Sequence, residues 1–175
     1  MGAAHGGRPP RSEFVVAGAL IERDGCLLLV RNERRGGRVD WSPPGGVIDP
    51  TDGSVTEGLA REVLEETHLV VTEWDGPLYE VRTTAPDMGW TMRVEVHRAA
   101  AWHGDLHVDD PDGIVTDAVF VPVDEIGEHL DLCPPWVREP LAEWLADRWD
   151  ISAARGYGFE VHGADHTTAR IVRMR

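Results

Sequence analysis

Glu62, Glu65 and Glu66 stand at i, i+3 and i+4 of a stretch that reads as helix, Arg61-Glu62-Val63-Leu64-Glu65-Glu66-Thr67-His68-Leu69. At helical spacing these positions share one face, so three negative charges crowd together and repel one another. A bound cation relieves that repulsion. Oxygen-only donors suit a hard ion, Mg2+ or Mn2+, and a divalent ion held by carboxylates most often works on phosphate oxygens. Glu-rich helix faces are also common as plain solvated surface, and three Glu alone do not separate the two readings. The flanking residues add weight to the first. Pro43-Pro44-Gly45-Gly46 is a turn that suits close backbone approach, and Ser54 with Glu57 makes a capping box that fixes where the helix starts.

The elements that must hold this stretch follow from the apolar pattern. Residues 14–21 and 26–31 are β-prone runs joined through Arg23-Asp24-Gly25, which predicts an opening antiparallel hairpin. Residues 32–40 form a polar loop holding Arg34, Arg35 and Arg38, and Trp41 leads into the Pro-Pro-Gly-Gly turn. The helix runs from Ser54 to about His68, with Val55, Leu59 and Val63 as the stripe that packs inward. Residues 69–73, 78–83, 91–102 and 114–123 read as further strands, and residues 85–90 as a loop. A short helix over 124–130 precedes a longer one over 136–149, whose core side carries Trp136, Leu141, Trp144 and Leu145. Strands, helix, strands and helices in that order make an α+β domain over residues 13–150. Residues 1–12 read as a disordered leader, and residues 151–175 as a tail with two β-prone runs, 157–162 and 168–174, that can form a hairpin.

The stretch around the three Glu resembles the Nudix box of the Nudix hydrolases, G-x5-E-x7-R-E-U-x-E-E-x-G-U with U aliphatic. Its second half is met from Arg61 to Leu69 at every position but one, since His68 stands where the family has Gly. In the first half Gly53 occupies the place of the family's Glu, and the spacing from Gly46 to Arg61 is one residue longer. Asp52 or Asp49 is positioned to supply the missing carboxylate as the partner of Arg61. The resemblance implies an α/β/α sandwich with a mixed sheet over about residues 14–149, and Mg2+-dependent hydrolysis of a phosphoanhydride bond in a nucleoside diphosphate linked to another moiety. ADP-ribose, nucleoside triphosphates and nucleotide sugars are all substrates within that family. It further implies that Glu62, Glu65 and Glu66 hold the metal, that Glu65 and Glu66 are catalytic, and that Gly45, Gly46 and Arg61 support the box. An additional acid from outside the box often serves as general base, and the loop with Asp105, Asp109, Asp110 and Asp112 supplies candidates, Asp110 foremost. Pro86 lies about where a proline marks many ADP-ribose hydrolases. Members are often homodimers, and an unpaired tail strand offers a route to one.

Arg31, Arg34, Arg35 and Arg82 are candidates for the phosphates by charge, and Trp41 for stacking on a base. The formal charge of −14 and pI near 4.8, with no basic stripe, exclude binding to a nucleic-acid polymer through its backbone. A small anionic nucleotide is compatible with them. No run reaches the roughly 18 apolar residues of a membrane span, so a cytoplasmic protein is expected. Cys26 and Cys133 are too few and too distant for a zinc site or a disulfide framework. His103 and His107 lack the Glu of a zincin helix, and Asp110-x-Asp112-Gly113 fails the calcium-loop register. Neither a G-x-S-x-G elbow nor a P-loop occurs. The rival to a hydrolase is a nucleotide-binding or regulatory module on the same fold, with weak or no activity, for which the altered first half of the box speaks.

Overall fold

The computed structural model describes residues 12–165 and 168–175. The leader expected over residues 1–12 lies outside the described residues except for Ser12, which begins a strand, and His166 of the tail lies outside them too. In chain order the elements are β1 (Ser12–Leu20), β2 (Glu22–Arg23), β3 (Cys26–Glu33), β4 (Val39–Ser42), β5 (Gly45–Val47), α1 (Val55–Thr67), β6 (Val70–Ala85), β7 (Trp90–His103), β8 (Val115–Pro122), α2 (Ile126–Leu130), α3 (Pro135–Asp147), β9 (Arg155–His162) and β10 (Arg170–Met174).

The larger sheet has the order β10-β9-β6-β7-β1-β5 and is mixed, with β1 parallel to β7 and β6 parallel to β9. In the smaller sheet β3 pairs with β8 along most of its length and with β2 and β4 at its two ends. Asp24-Gly25 does turn the chain, at φ values of 51° and 77°, but the hairpin it closes joins β2 to β3 rather than β1 to β3. The reason lies in burial. Ala17, Ala19 and Ile21 pack with α1 while Leu20 packs with α3, so β1 is covered on both faces and sits inside the large sheet. The run Leu27-Leu28-Leu29 behaves alike, sending Leu27 and Leu29 to one cluster and Leu28 to the other. An α/β/α sandwich results, with α1 against one face of the mixed sheet and α3 against the other.

Where the sequence suggests two strands around Gly76-Pro77, one long β6 forms, and register shifts against β7 between Val71 and Tyr79 absorb the interruption. The Ser54 hydroxyl accepts from the Glu57 N–H at 3.1 Å and starts α1, and His68, left-handed at φ 60°, ends it with its N–H on the Leu64 carbonyl. Among the described residues no helix is long and apolar enough to cross a membrane.

Residues 155–162 and 170–174 complete the large sheet. β9 lies beside β6, β10 beside β9, and Tyr157, Phe159 and Val161 enter the main core. Before them the chain is anchored by Trp149, whose indole donates to the Leu78 carbonyl at 2.7 Å, and by Trp144, whose indole donates to the Trp149 carbonyl at 3.1 Å. Phe159→Ala should therefore cost about 3–5 kcal/mol of unfolding free energy, as for other buried aromatics. Urea denaturation reads this directly, and a loss below about 1 kcal/mol would show the last two strands to be peripheral to stability.

Candidate active site

Pairing with β1 sets β5 in place, putting Gly45 opposite Gly18 and Gly46 opposite Ala17. Gly45 has φ 145°, and a Cβ there would lie 2.1 Å from the Ala17 carbonyl oxygen, so no larger residue fits. At Gly46 a Cβ would lie 2.4 Å from Glu62 Oε2, a measure of how closely the α1 carboxylate approaches the β5 backbone. The Gly45 N–H donates to Glu66 Oε2 at 2.9 Å. Glu62 and Glu66 thus lie against the Gly-Gly segment. Glu66 is a buried residue, so α1 does not simply present a solvated trio. Glu65 stands further out, its side chain 37% exposed against 17% for Glu62.

Arg61 is the counter-charge. Its guanidinium meets Asp52 through Nη2–Oδ2 at 3.0 Å and Nε–Oδ1 at 3.3 Å. Its Nη1 also donates to Glu62 at 2.7 Å and Glu65 at 3.2 Å. Of the two loop acids considered from sequence, Asp52 is the one in contact. The length of the Arg61 side chain lets Nη1 reach over the carboxylate face of α1. Asp49 instead organises the inserted loop, accepting from the Thr51 N–H and hydroxyl and donating its own N–H to Asp52 Oδ2. The hydrogen bond from Arg61 pulls the Asp52 carboxyl below its ordinary value, and the same bond, followed by Glu62, holds the Arg61 guanidinium above its own.

The buried acids shift the other way. Burial raises Glu62 above the ordinary carboxylate range despite Arg61. Burial pushes Glu66 up to about 8, opposed by the Gly45 N–H and reinforced by the charges of Glu62 and Asp110.

These groups line a cleft of about 620 Å³ bounded by Gly45, Gly46, Asp52, Arg61, Glu62, Glu66, Asp110 and Asp112. Asp110 lies where the sequence places a loop acid, but its oxygens accept from the N–H groups of Asp112, Ile114 and Val115 at 2.8–3.1 Å. It shapes the loop at least as much as it faces the cleft. Arg34 lines the cleft, whereas the other basic candidates are not brought there. Arg31 Nη1 donates to the Thr116 hydroxyl at 2.7 Å, and Arg35 is exposed in the β3–β4 turn. Arg82 is exposed and alternates with Val81, which faces an apolar pocket, so it points to the opposite side of the sheet. Trp41 is in β4 rather than a loop and packs edge-on against His129 of α2, with its carbonyl accepting from the Cys133 thiol. Pro86 sits in the β6–β7 turn, outside the cleft lining.

Asn32, Asp40 and Ser42 escape sequence reasoning. Asn32 and Ser42 line the cleft, and Asn32 donates to Asp40 and to Ser42, both at 2.9 Å. The available signal is a polar residue next to an apolar strand run, Asn32 after Leu27 to Val30. Beside the cleft, sharing Arg34, Ser42, Gly45, Gly46 and Val47 with it, opens an apolar pocket of about 290 Å³ walled by Tyr79, Val81, Met92, Val94 and Trp136.

Among the described residues no three acidic, His or Cys side chains stand ready to hold an ion as they are, because Arg61 already engages Glu62 and Glu65 and Glu66 is drawn to Gly45. The donor set nevertheless fits a hard divalent cation. It is all oxygen, and burial of Glu66, reinforced by the charge of Glu62, raises the cost of its ionised form, which a cation would offset. A metal-free preparation should therefore show one clear pH signature. The folded pKa of Glu66 lies above the unfolded value, so the folded state holds the extra proton and stability falls as pH rises from about 4.5 to about 8. Glu66→Gln should flatten that slope and melt a few degrees above the parent at pH 8. An unchanged slope would show Glu66 to be ionised in the folded protein.

Residues 12–145 match the model of the NUDIX domain. A MutT-like protein of Streptomyces ambofaciens is 41% identical over 63 residues, 36% of this chain and 38% of that protein, so the match spans little more than a third of that relative. The CTP pyrophosphohydrolase of Escherichia coli strain K12 is 29% identical over 99 residues, 50% of this chain and 73% of its own. The crystal structure of a MutT NUDIX hydrolase from Burkholderia pseudomallei superposes with a TM-score of 0.57 at 27% identity, covering 65% of this chain and 86% of that one. With the family model spanning most of the chain, and Gly45, Gly46, Arg61, Glu62 and Glu66 lining one cleft, the chain belongs to the NUDIX hydrolase family.

Proposed function

We propose that the protein hydrolyses a phosphoanhydride bond in a nucleoside diphosphate linked to another moiety, with Mg2+, or Mn2+, as its cofactor. The observation that carries this is the adjacency of two unlike cavities. An acidic, oxygen-lined cleft able to hold a divalent ion opens beside an apolar pocket of a size and character suited to a base and sugar. Relatives named for CTP and the MutT group support a nucleotide in the pocket.

Glu62, Glu65 and Glu66 are the residues that would hold the ion, which when bound screens the diphosphate charge and makes a water acidic enough to attack near neutral pH. The chain's own part is positional. Gly45 fixes Glu66 through its N–H, Arg61 braces α1 against the Asp52 loop, and Arg34 adds positive charge at the mouth of the cleft. Burial raises Glu66 above the ordinary carboxylate range, and a bound cation would favour its ionised form as a ligand. The Asp110 carboxylate adds negative charge beside it while holding the loop.

A second reading, a nucleotide-binding module with little activity, is favoured by one observation, the engagement of Glu62 and Glu65 by Arg61. Turnover separates the two. With Mg2+, a panel of ADP-ribose, nucleoside triphosphates and nucleotide sugars should yield at least one substrate, and Glu65→Gln or Glu66→Gln should lower its kcat about 100-fold or more while the fold persists. A folded wild-type protein that hydrolyses none of them would leave only the binding module, whereas variants with near-full turnover would show that Glu65 and Glu66 are not the catalytic groups.

A further inference from the structure

The acidic cleft and the apolar pocket meet at Arg34, which lines both. Its guanidinium is tied side-on to one carboxylate, Nε to Asp40 Oδ2 at 3.1 Å and Nη2 to Asp40 Oδ1 at 3.2 Å. Asp40 is only 4% exposed, as is Asn32, which faces it across the β3–β4 pair and donates to the same Oδ1 at 2.9 Å. The Asn32 amide also donates to the Ser42 hydroxyl at 2.9 Å, and the Arg34 N–H closes the turn on the Arg38 carbonyl at 2.7 Å. A buried carboxylate that is satisfied on all sides holds its partner in one orientation. A guanidinium has five N–H donors. The pair with Asp40 takes two of them, and the Arg34 side chain is still 42% exposed.

We propose that Asp40, itself held by Asn32, is a positioning residue that fixes Arg34 so that its remaining donors bind the phosphate nearest the nucleoside. This rests on the nucleotide reading above. The base and sugar lie in the apolar pocket, the diphosphate points into the acidic cleft, and the first phosphate crosses the boundary between them. In an acidic protein that phosphate needs a local cation, and Arg34 is the one basic side chain that both cavities share among their described lining. Orientation matters because planar guanidinium bonds to a phosphate depend on direction as well as charge.

The test is equilibrium binding to the full chain without metal, by calorimetry, using AMP and CMP and their uncharged nucleosides. In the wild type at least one monophosphate should bind about tenfold or more tightly than its nucleoside. Arg34→Gln and Asp40→Asn should each weaken the monophosphate about tenfold and leave the nucleoside within about twofold. In the Arg34→Gln background, Asp40→Asn should add less than about twofold, since it acts through Arg34. Arg34→Lys keeps the charge without the side-on pair and should fall with Arg34→Gln, which keeps the test decisive if Asp40→Asn melts. The proposal is overturned if neither monophosphate binds more tightly than its nucleoside, or if Arg34→Lys retains full affinity. Equal weakening of nucleoside and monophosphate by Asp40→Asn, or its full effect in the Arg34→Gln background, overturns it too. Phosphate-selective binding without turnover overturns the hydrolase reading alone.

Discussion

Packing carboxylates of one helix against a bare stretch of backbone, with Arg61 as the guanidinium in direct contact with them, is the constraint around which this domain is arranged. Glu62 can come so close to β5 only because Gly46 lacks a side chain, Gly45 gives its N–H to Glu66 while fitting tightly against Ala17, and both glycines are held by pairing with β1. β1 can serve as that anchor because it is covered on both faces and lies within the large sheet. The start and end of α1 are fixed by Ser54 and His68, so the rotation of its acidic face is set by local chemistry and its distance by the sheet. The cleft is thus a consequence of the core.

Compensation of that charge runs through arginines that are each tied to an acid. Arg61 spans Asp52, Glu62 and Glu65, and Arg34 is clamped by Asp40. In a chain of formal charge −14, a negatively charged ligand is repelled at long range and is favoured only where such a cation, or a bound metal ion, reverses the local field. The apolar pocket offers the remaining affinity by burial of surface. Together these features suit a small molecule that is apolar at one end and anionic at the other.

Much of this was legible in the residues. The helix limits at Ser54 and His68, the inward stripe of α1 and its acidic face follow from local signals, namely a capping box and helical spacing, whereas the Pro-Pro-Gly-Gly stretch that reads as a turn enters a strand at Gly45. The pairing of strands was not. Asp24-Gly25 marks a turn truly, yet the turn cannot say that the chain changes sheets at Ile21, because that depends on which helices cover each face. Gly76-Pro77 reads as a break and is absorbed within a strand, since pairing with β7 continues on both sides of it. Among the basic candidates, charge alone cannot tell Arg34 from Arg82, which differ in the face of the fold they occupy. Asn32 and Asp40 were missed because a buried polar pair becomes visible only when two strands are brought into register.

The central claim is that the α1 carboxylates form a site for a hard divalent cation, and direct titration of Mg2+ into the metal-free protein tests it without relying on any substrate. Saturable binding is the expected result, weakened about tenfold or more by Glu62→Gln at unchanged fold, as for loss of one charged ligand. Binding that is absent from the folded wild type, or that is indifferent to Glu62, would contradict it.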